Sequence, residues 1–229
     1  MLASAAAATS SIEVTSSVKS NAGSLKSIVS FFANKTITCG EGGALIVNNS
    51  DLTLRASELR DHGMDKSKRY WHKYVGYNYR MTNLQAAIGL AQIEQFSMFI
   101  EKRKIIWNSY RKLLGSYDYF DFQLSRVDHS PASWLFTLLI RDDESISIDE
   151  IISRLKDFGI ESRPVFFPMS EMPSFAELAE IYKDPNCKNI SRRGLSLPSS
   201  ISLTEKEIKY ISNSLLTILN IDIASNKNV

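Results

Sequence analysis

From residue 27 onward, short apolar segments of strand length alternate with longer segments of helical periodicity, and this alternation points to a mixed fold of strands and helices. Residues 27–32 predict a short buried strand and residues 44–47 a second strand. Residues 52–60 repeat apolar side chains at helical spacing, and the preceding cluster of Asn, Ser and Asp supplies an N-cap. Gly63 follows where helices commonly end. The pattern therefore predicts the order strand, strand, helix.

Two longer helices are predicted next. Thr82 is the expected N-cap of a helix whose apolar stripe runs from Leu84 to Phe96. A second helical run over residues 100–114 carries charges on its solvated side, and Gly115 ends it. Beyond residue 118 we expect a strand over 134–140, a helix over 147–158, a short strand over 163–167 and helices near 174–182 and 204–219. A domain boundary is expected near residues 115–121.

The first twenty residues have a different composition, because thirteen of them are Ala, Ser or Thr and Glu13 is the one acid. Such a segment has too little apolar bulk to anchor a core. A transit peptide is one interpretation, but transit peptides are usually rich in Arg and this segment has none. We expect residues 1–26 to be a degenerate or disordered segment.

Composition excludes several classes of protein. The 229 residues carry a formal net charge of +2, so no general attraction to nucleic acid is expected. No apolar run approaches the roughly 20 residues that a membrane-spanning helix needs, so no membrane association is expected. Cys39 and Cys187 cannot build a disulfide scaffold, which favours a reducing compartment such as the cytoplasm.

The loop over residues 65–79 mixes aromatic and basic side chains, a pattern that also occurs on surfaces that bind single-stranded nucleic acid. On a nearly neutral chain this is weak evidence, and a loop of this length and aromatic content is more typical of a functional segment than of disorder. His62, His72 and His129 are far apart and have no cysteine at metal-site spacing, so no metal is expected. Sequence motifs for dinucleotides, P-loops and hydrolase elbows do not occur.

Lys35 is the candidate for covalent chemistry. It follows the first predicted strand by a few residues and precedes the glycine turn at residues 41–43. Partial removal from water favours the neutral, nucleophilic amine that forms a Schiff base with an aldehyde cofactor. Ser30 offers a hydroxyl near the same strand end that suits a cofactor phosphate. Most lysines beside loops are simply solvated, so this position alone leaves both interpretations open.

Four blocks of sequence, taken together, resemble the DegT/DnrJ-type nucleotide-sugar aminotransferases, and especially their perosamine synthase branch. The blocks are residues 30–43 (SFFANKTITCGEGG), 59–64 (LRDHGM), 76–87 (GYNYRMTNLQAA) and 162–169 (SRPVFFPM). They occur in the family's order, and the resemblance extends from about residue 24 to residue 215. It implies an α/β fold, namely the C-terminal portion of a type I aminotransferase that depends on pyridoxal 5′-phosphate.

The resemblance also implies roles for single residues. Lys35 matches the lysine that forms a Schiff base with pyridoxal 5′-phosphate and then moves the proton. Ser30 matches the serine that binds the cofactor phosphate, and Asn78 matches an asparagine that reaches the phosphate in the neighbouring subunit of a dimer. Arg80, Arg163 and Ser170 lie in segments that line the sugar-nucleotide side; a structural ion pair or a loop cap is the alternative for each.

By the same resemblance, residues 27–117 are part of the large cofactor domain, residues 118–220 form a small α+β domain and residues 221–229 are a tail. The implied reaction transfers an amino group from glutamate to a 4-keto-6-deoxy nucleotide sugar, with a GDP-linked ketone favoured, for surface polysaccharide. Members of the family begin well upstream of the matched region. We therefore expect a truncated or split form, and a non-catalytic partner subunit or a decayed remnant is the alternative.

Overall fold

The computed structural model of the chain describes residues 25–123, 131–141, 146–178 and 184–222. Contacts between residues divide the chain into two compact units, Met1–Ser97 and Met98–Val229. The division falls in the first turn of a long helix, earlier in the chain than residues 115–121. The boundary expected there concerns the cofactor domain and the small domain, and it stays a prediction, as do the other two segment boundaries, after residues 26 and 220.

Over residues 25–95, the first unit contains a hairpin and two helices. Strands β1 (Leu25–Ser30) and β2 (Gly43–Val47) pair antiparallel, with Ser30 opposite Gly43 and Val29 opposite Ala44. Helix α1 spans Ser50–Arg60, and its N-cap Asn49 accepts a hydrogen bond from the Leu52 amide at 2.9 Å. Helix α2 spans Asn83–Glu94 and begins at a capping box formed by Thr82 and Gln85. These elements confirm the order predicted from the sequence.

Burial in the first unit differs from the prediction. Residues 27–32 were expected to form a buried strand, but Ile28 of β1 is 69% exposed. The reason is that β1 and β2 form a two-stranded ribbon and pair chiefly with each other. The apolar stripe of α2 exists, but Leu84 is 79% exposed and no described residue of that helix is buried. Phe31 and Cys39 are the buried apolar side chains among the described residues of this unit.

The second unit is built on a four-stranded antiparallel sheet in the order β3–β4–β6–β5. Its strands are β3 (Phe120–Phe122), β4 (Phe136–Ile140), β5 (Arg163–Pro164) and β6 (Gly194–Leu197). The register places Phe136 opposite Leu197 and Phe120 opposite Ile140. Strand β6 is an interior strand of the sheet, and all four of its residues are buried.

Four helices accompany this sheet: α3 (Phe96–Leu114), α4 (Ile148–Asp157), α5 (Pro185–Arg193) and α6 (Glu205–Ile218). The helices predicted over 147–158 and 204–219 correspond to α4 and α6, and Ser147 and Thr204 are their N-caps. The sequence interpretation missed β3, α5 and β6. It also expected a helix near 174–182, where the structure has 3₁₀ turns over Met169–Glu171 and Pro173–Leu178, and residues 179–183 lie outside the described part.

The core of the second unit contains nineteen of the described apolar residues, drawn from α3, α4, α6 and three of the strands, with Ile160 after α4 and Leu219 directly after α6. Phe136 lies at its centre, stacked on Tyr110 with ring centroids 4.6 Å apart and edge-on to Trp107 at 5.2 Å. The polar atoms of these rings are satisfied, because Tyr110 Oη donates to the Pro198 carbonyl at 2.9 Å and Trp107 Nε1 to the Leu135 carbonyl at 3.1 Å. No helix in the described ranges is both long and apolar enough to cross a membrane.

Candidate functional site

Lys35 lies in the connection between β1 and β2. Its backbone amide donates to the Phe32 carbonyl at 2.9 Å, which turns the chain directly after the strand. The Lys35 side chain is half-buried, whereas Ser30, the last residue of β1, is exposed. The structure therefore places the predicted amine and the predicted phosphate-binding hydroxyl on one hairpin, Ser30 at its strand end and Lys35 in its loop.

The base of this loop is closed by hydrogen bonds to Phe31. The Phe31 amide donates to the Gly42 carbonyl at 2.9 Å, and its carbonyl accepts from the Cys39 amide and from Thr38 Oγ1, both at 3.1 Å. Burial raises the pKa of the Cys39 thiol, so this side chain serves as a small apolar filler beneath the loop. Gly43 has to be glycine, because a Cβ there would lie 2.8 Å from the Val29 carbonyl oxygen.

A second feature of the first unit is the interlock of two glycines after α1. Gly63 has a φ of +68°, and a Cβ on it would lie 2.0 Å from the Tyr74 carbonyl oxygen. A Cβ on Gly76 would lie 2.0 Å from the Gly63 amide nitrogen. The two backbones can approach this closely only without side chains. The loop over residues 65–79 is thereby folded back onto the end of α1.

Glu58 of α1 holds the loop over residues 65–79 through its side chain. It is buried, and its carboxylate accepts hydrogen bonds from the Tyr74 hydroxyl and, at 3.1 Å, from Lys73 Nζ, which also contacts Asp65 at 3.0 Å. The Arg55 guanidinium lies over the Tyr74 ring, 3.5 Å from its centroid. The hydrogen bonds from Tyr74 and Lys73 lower the pKa of Glu58, and those from Ser67 and Lys73 lower the pKa of Asp65. The same contacts raise the pKa of Lys73, so Glu58, Asp65 and Lys73 stay ionised at neutral pH.

Asp61, directly after α1, joins the ends of the loop. Its carboxylate pairs with Lys66 Nζ and with Arg80 Nε, each at 3.3 Å, and its backbone bridges to Asn78. Burial raises the pKa of Asp61, but the hydrogen bond from Lys66 and the charge of Arg80 outweigh it, so the pKa lies below its usual value. The structure thus brings the predicted residue Arg80 to the Asp61 carboxylate and the predicted residue Asn78 to the Asp61 backbone.

The remaining predicted residues belong to the second unit. Arg163 is in β5, paired in register with Ser196, and its guanidinium contacts the Glu161 carboxylate at 3.1 Å. Ser170 lies in the first 3₁₀ turn and is partly buried. For Arg163 the structure shows the ion pair that the sequence left open as an alternative. The substrate roles of both residues stay predictions, as do those of Lys35, Ser30, Asn78 and Arg80.

Sequence reasoning missed Glu58, Tyr74 and Asp61 as a polar cluster. Glu58 and Tyr74 are 16 positions apart, and no helical or strand periodicity connects them. One signal was present, because Asp61 lies within the block at residues 59–64 that carries the family resemblance. Its use as an anchor for Arg80 follows only from the folded loop.

Two bacterial sugar-modifying enzymes show the likeness in sequence. The chain is 39% identical over 189 residues to the GDP-perosamine synthase of Escherichia coli O157:H7, covering 82% of this chain and 50% of that protein. It is 38% identical over 197 residues to the GDP-perosamine synthase of Vibrio cholerae, covering 85% of this chain and 53% of that protein. The chain thus spans about half the length of the curated relatives it matches.

Solved structures show the same fold. Helicobacter pylori PseC, an aminotransferase involved in pseudaminic acid biosynthesis, superposes with a TM-score of 0.77 at 24% identity over 84% of this chain and 53% of PseC. An Escherichia coli GDP-4-keto-6-deoxy-D-mannose-3-dehydratase with bound hydrated pyridoxal phosphate gives 0.69 at 19% identity, over 82% of this chain and 53% of the enzyme. These likenesses confirm the predicted fold class, part of a type I aminotransferase.

The family itself is identified by a match over residues 4–216 to the model described as the DegT/DnrJ/EryC1/StrS aminotransferase family. This confirms the resemblance seen in the four sequence blocks, and pyridoxal 5′-phosphate, the cofactor that the resemblance implied, is the cofactor of this family. The match includes both described units. The chain belongs to the DegT/DnrJ/EryC1/StrS aminotransferase family.

Proposed function

We propose that this chain provides the lysine-bearing part of a nucleotide-sugar aminotransferase that moves an amino group from glutamate to a 4-keto-6-deoxy sugar nucleotide. The observation that carries this proposal is the identity of 38–39% to GDP-perosamine synthases over more than four-fifths of the chain. The family match over residues 4–216 includes the Lys35 hairpin. A GDP-linked ketone is the proposed acceptor, and surface polysaccharide the proposed destination of the amino sugar. The cytoplasm is the proposed location, because sugar nucleotides and glutamate are available there.

The residues present suit pyridoxal 5′-phosphate by their chemistry. Lys35 supplies a primary amine for a covalent bond to the aldehyde, while the Ser30 hydroxyl and the Asn78 amide supply donors for the phosphate. When bound, the cofactor provides the electron sink for the reaction. In this proposal Lys35 takes up and returns the proton at the substrate carbon as general base and acid. Arg80, Arg163 and Ser170 bind the sugar nucleotide.

A dimer is part of the proposal, because Asn78 is assigned to the phosphate site of a neighbouring subunit. That neighbour is a second copy of this chain or a complementary chain of the same family. Asn78 is exposed and held at its backbone by the bridge to Asp61, a placement that suits a residue acting outside its own unit. Residues 27–117 are proposed as the cofactor domain and residues 118–220 as the small domain.

A second candidate function is a non-catalytic partner subunit or a decayed remnant of such an enzyme. The observation that favours it is the exposure of large apolar side chains in the first unit, among them Ile28, Leu45 and Leu84. Ile28 and Leu45 are paired across the hairpin, and exposed apolar side chains that adjoin one another mark an interaction site or a destabilised chain. Co-expression with a full-length GDP-perosamine synthase separates the candidates, because a partner subunit co-purifies with it and holds cofactor only in the mixed dimer.

The proposed function is tested by borohydride trapping. The purified chain is incubated with pyridoxal 5′-phosphate, reduced and digested, and the modified lysine is located by peptide mass spectrometry. We expect labelling at Lys35 that is lost in Lys35→Ala and retained in Lys104→Ala, a control lysine on the exposed side of α3. Diffuse or absent labelling of folded protein contradicts a stand-alone cofactor site and favours the second candidate.

A further inference from the structure

Two carboxylates at the end of α1 are buried although both carry charge. Glu58 is 5% exposed and Asp61 is 8% exposed, and they are three positions apart. A buried carboxylate is costly unless cations or hydrogen-bond donors surround it. Here those partners come from residues 66–80: Lys66 and Arg80 pair with Asp61, and Lys73 and Tyr74 with Glu58. The loop is thus held by the two carboxylates at four points.

The backbone reinforces this arrangement. The His62 amide donates to the Tyr77 carbonyl at 2.8 Å, the Tyr77 amide to the Leu59 carbonyl at 2.7 Å, and the Tyr79 amide to the Arg60 carbonyl at 3.0 Å. Residues 77–79 therefore run alongside the last turn of α1 in a fixed register. Asn78 lies in the middle of this ladder and Arg80 directly after it.

Arg80 is held in a way that leaves it usable. Asp61 contacts its Nε at 3.3 Å, and the Arg80 side chain stays 60% exposed while paired. Asp61 Oδ1 is itself buried and has no hydrogen bond of good geometry within the described residues. The contact is therefore an attraction between charges that orients the guanidinium without enclosing it. An exposed, oriented guanidinium is suited to binding a phosphoryl group.

We propose that Asp61 and Glu58 are positioning residues that fix residues 65–80 so that the Asn78 amide and the Arg80 guanidinium are presented to phosphoryl groups. The assignment of those groups to the cofactor and the sugar nucleotide rests on the proposed function. Asp61 acts on Arg80 through charge and on Asn78 through the backbone bridge. Glu58 acts on both at a distance, through Lys73 and Tyr74.

The first test is amide hydrogen exchange, read by mass spectrometry, on the full chain and its variants. Asp61→Asn and Glu58→Gln keep the shape of each side chain and remove its charge. We expect residues 73–80 to exchange about tenfold faster in both variants, as the loss of a charge-assisted hydrogen bond implies. Residues 148–157 of α4 serve as an internal reference, and Asp51→Asn, at the exposed start of α1, is the matched control. Unchanged exchange at residues 73–80 in both variants overturns the proposal.

The second test separates positioning from simple support of the fold. Dissociation constants are measured for pyridoxal 5′-phosphate and for pyridoxal, and for GDP and for guanosine. We expect Asp61→Asn to weaken binding of the phosphorylated ligand about tenfold and to leave its unphosphorylated partner unchanged. The first pair reports the cofactor phosphate and the second the nucleotide diphosphate.

Equal losses for the phosphorylated and unphosphorylated ligands overturn the positioning role. If the unmodified chain binds neither phosphorylated ligand, the proposed function fails for this chain alone. The exchange measurement then still decides whether the two carboxylates hold Asn78 and Arg80 in place, because it requires no ligand.

Discussion

The two units of the chain are stabilised by different kinds of contact. In the second unit, helices and a four-stranded sheet enclose a continuous apolar core around Phe136. In the first unit the described residues bury little apolar surface, and polar contacts connect its segments: the hydrogen bonds around Phe31 and the ion pairs of Glu58 and Asp61. Burial of apolar surface sustains a domain on its own, whereas polar contacts mainly specify geometry.

The unit with the larger apolar core is therefore not the unit that carries the predicted cofactor residues. Those residues all lie in the first unit, whose described part buries fewer apolar side chains. They are Ser30, Lys35 and Asn78. Functional loops commonly have low local stability and depend on a more stable neighbouring region or partner. The family match includes both units, so the difference in burial lies within one family sequence.

The largest effect on stability is expected from creating a cavity in the core of the second unit. Phe136→Ala removes a fully buried ring that contacts Tyr110 and Trp107, and we expect the free energy of unfolding to fall by about 3–5 kcal/mol. Urea unfolding followed by fluorescence in a Trp71→Phe background reports Trp107 and Trp134. Ile28→Ala in β1 is the matched control and should change the value by less than about 0.5 kcal/mol. Equal losses in the two variants would remove the contrast.

An intermediate effect is expected from acid, because it protonates carboxylates and leaves the burial of apolar side chains unchanged. The folded chain lowers the pKa of Glu58, Asp61 and Asp65, so these groups stabilise the loop above the usual carboxyl pKa of about 4. That stability is lost as the pH falls through their folded pKa values. Exchange protection of residues 73–80, corrected for the intrinsic effect of pH, should therefore fall below about pH 4 while β4 and β6 keep theirs. Parallel loss in both regions would argue against charge as the cause.

The smallest effect concerns two matched capping boxes, Thr82 with Gln85 and Thr204 with Glu207. Thr204→Ala should lower the free energy of unfolding of the second unit by about 1 kcal/mol, because α6 contributes to its core. Thr82→Ala should leave that value unchanged and speed amide exchange only at the start of α2. Urea unfolding and hydrogen exchange on the two variants measure these effects, and a global loss from Thr82→Ala would indicate that α2 is coupled to the core.

Local signals account for the elements that the sequence predicted correctly. Thr82, predicted as an N-cap, directly precedes α2, and Asn49 of the predicted capping cluster caps α1. The helices predicted from residues 147 and 204 begin one residue later, at Ile148 and Glu205. Helix α5 had such a signal too, because Asp184 caps it and Pro185 begins it, but its low apolar content concealed it. Strand β6 is four residues long and is buried by its neighbours in the sheet, so its identity depends on contacts distant in sequence.

The candidate site likewise has residues that the sequence predicted and residues that only the folded structure shows. Lys35 and Ser30 were found because one short block of sequence carries both. The glycine interlock and the carboxylate anchors depend on how residues 65–80 fold back onto α1, and that path is a property of the folded backbone. The exposure of Ile28 and Leu84 could not be predicted from the sequence either. An apolar pattern shows that one face of a strand or helix is suited to burial, but it does not show whether another segment covers that face.

The late position of helix α6 in the sequence has a consequence for folding during synthesis on the ribosome. It supplies Ile208, Ile211, Leu215, Leu216 and Ile218 to the core that encloses Phe136, which is translated about seventy residues earlier. Throughout that interval the nascent chain exposes the apolar side of β4, whose partner β6 is also synthesised late. Chaperones that shield emerging apolar segments therefore have an opportunity to bind β4 before α6 closes the core.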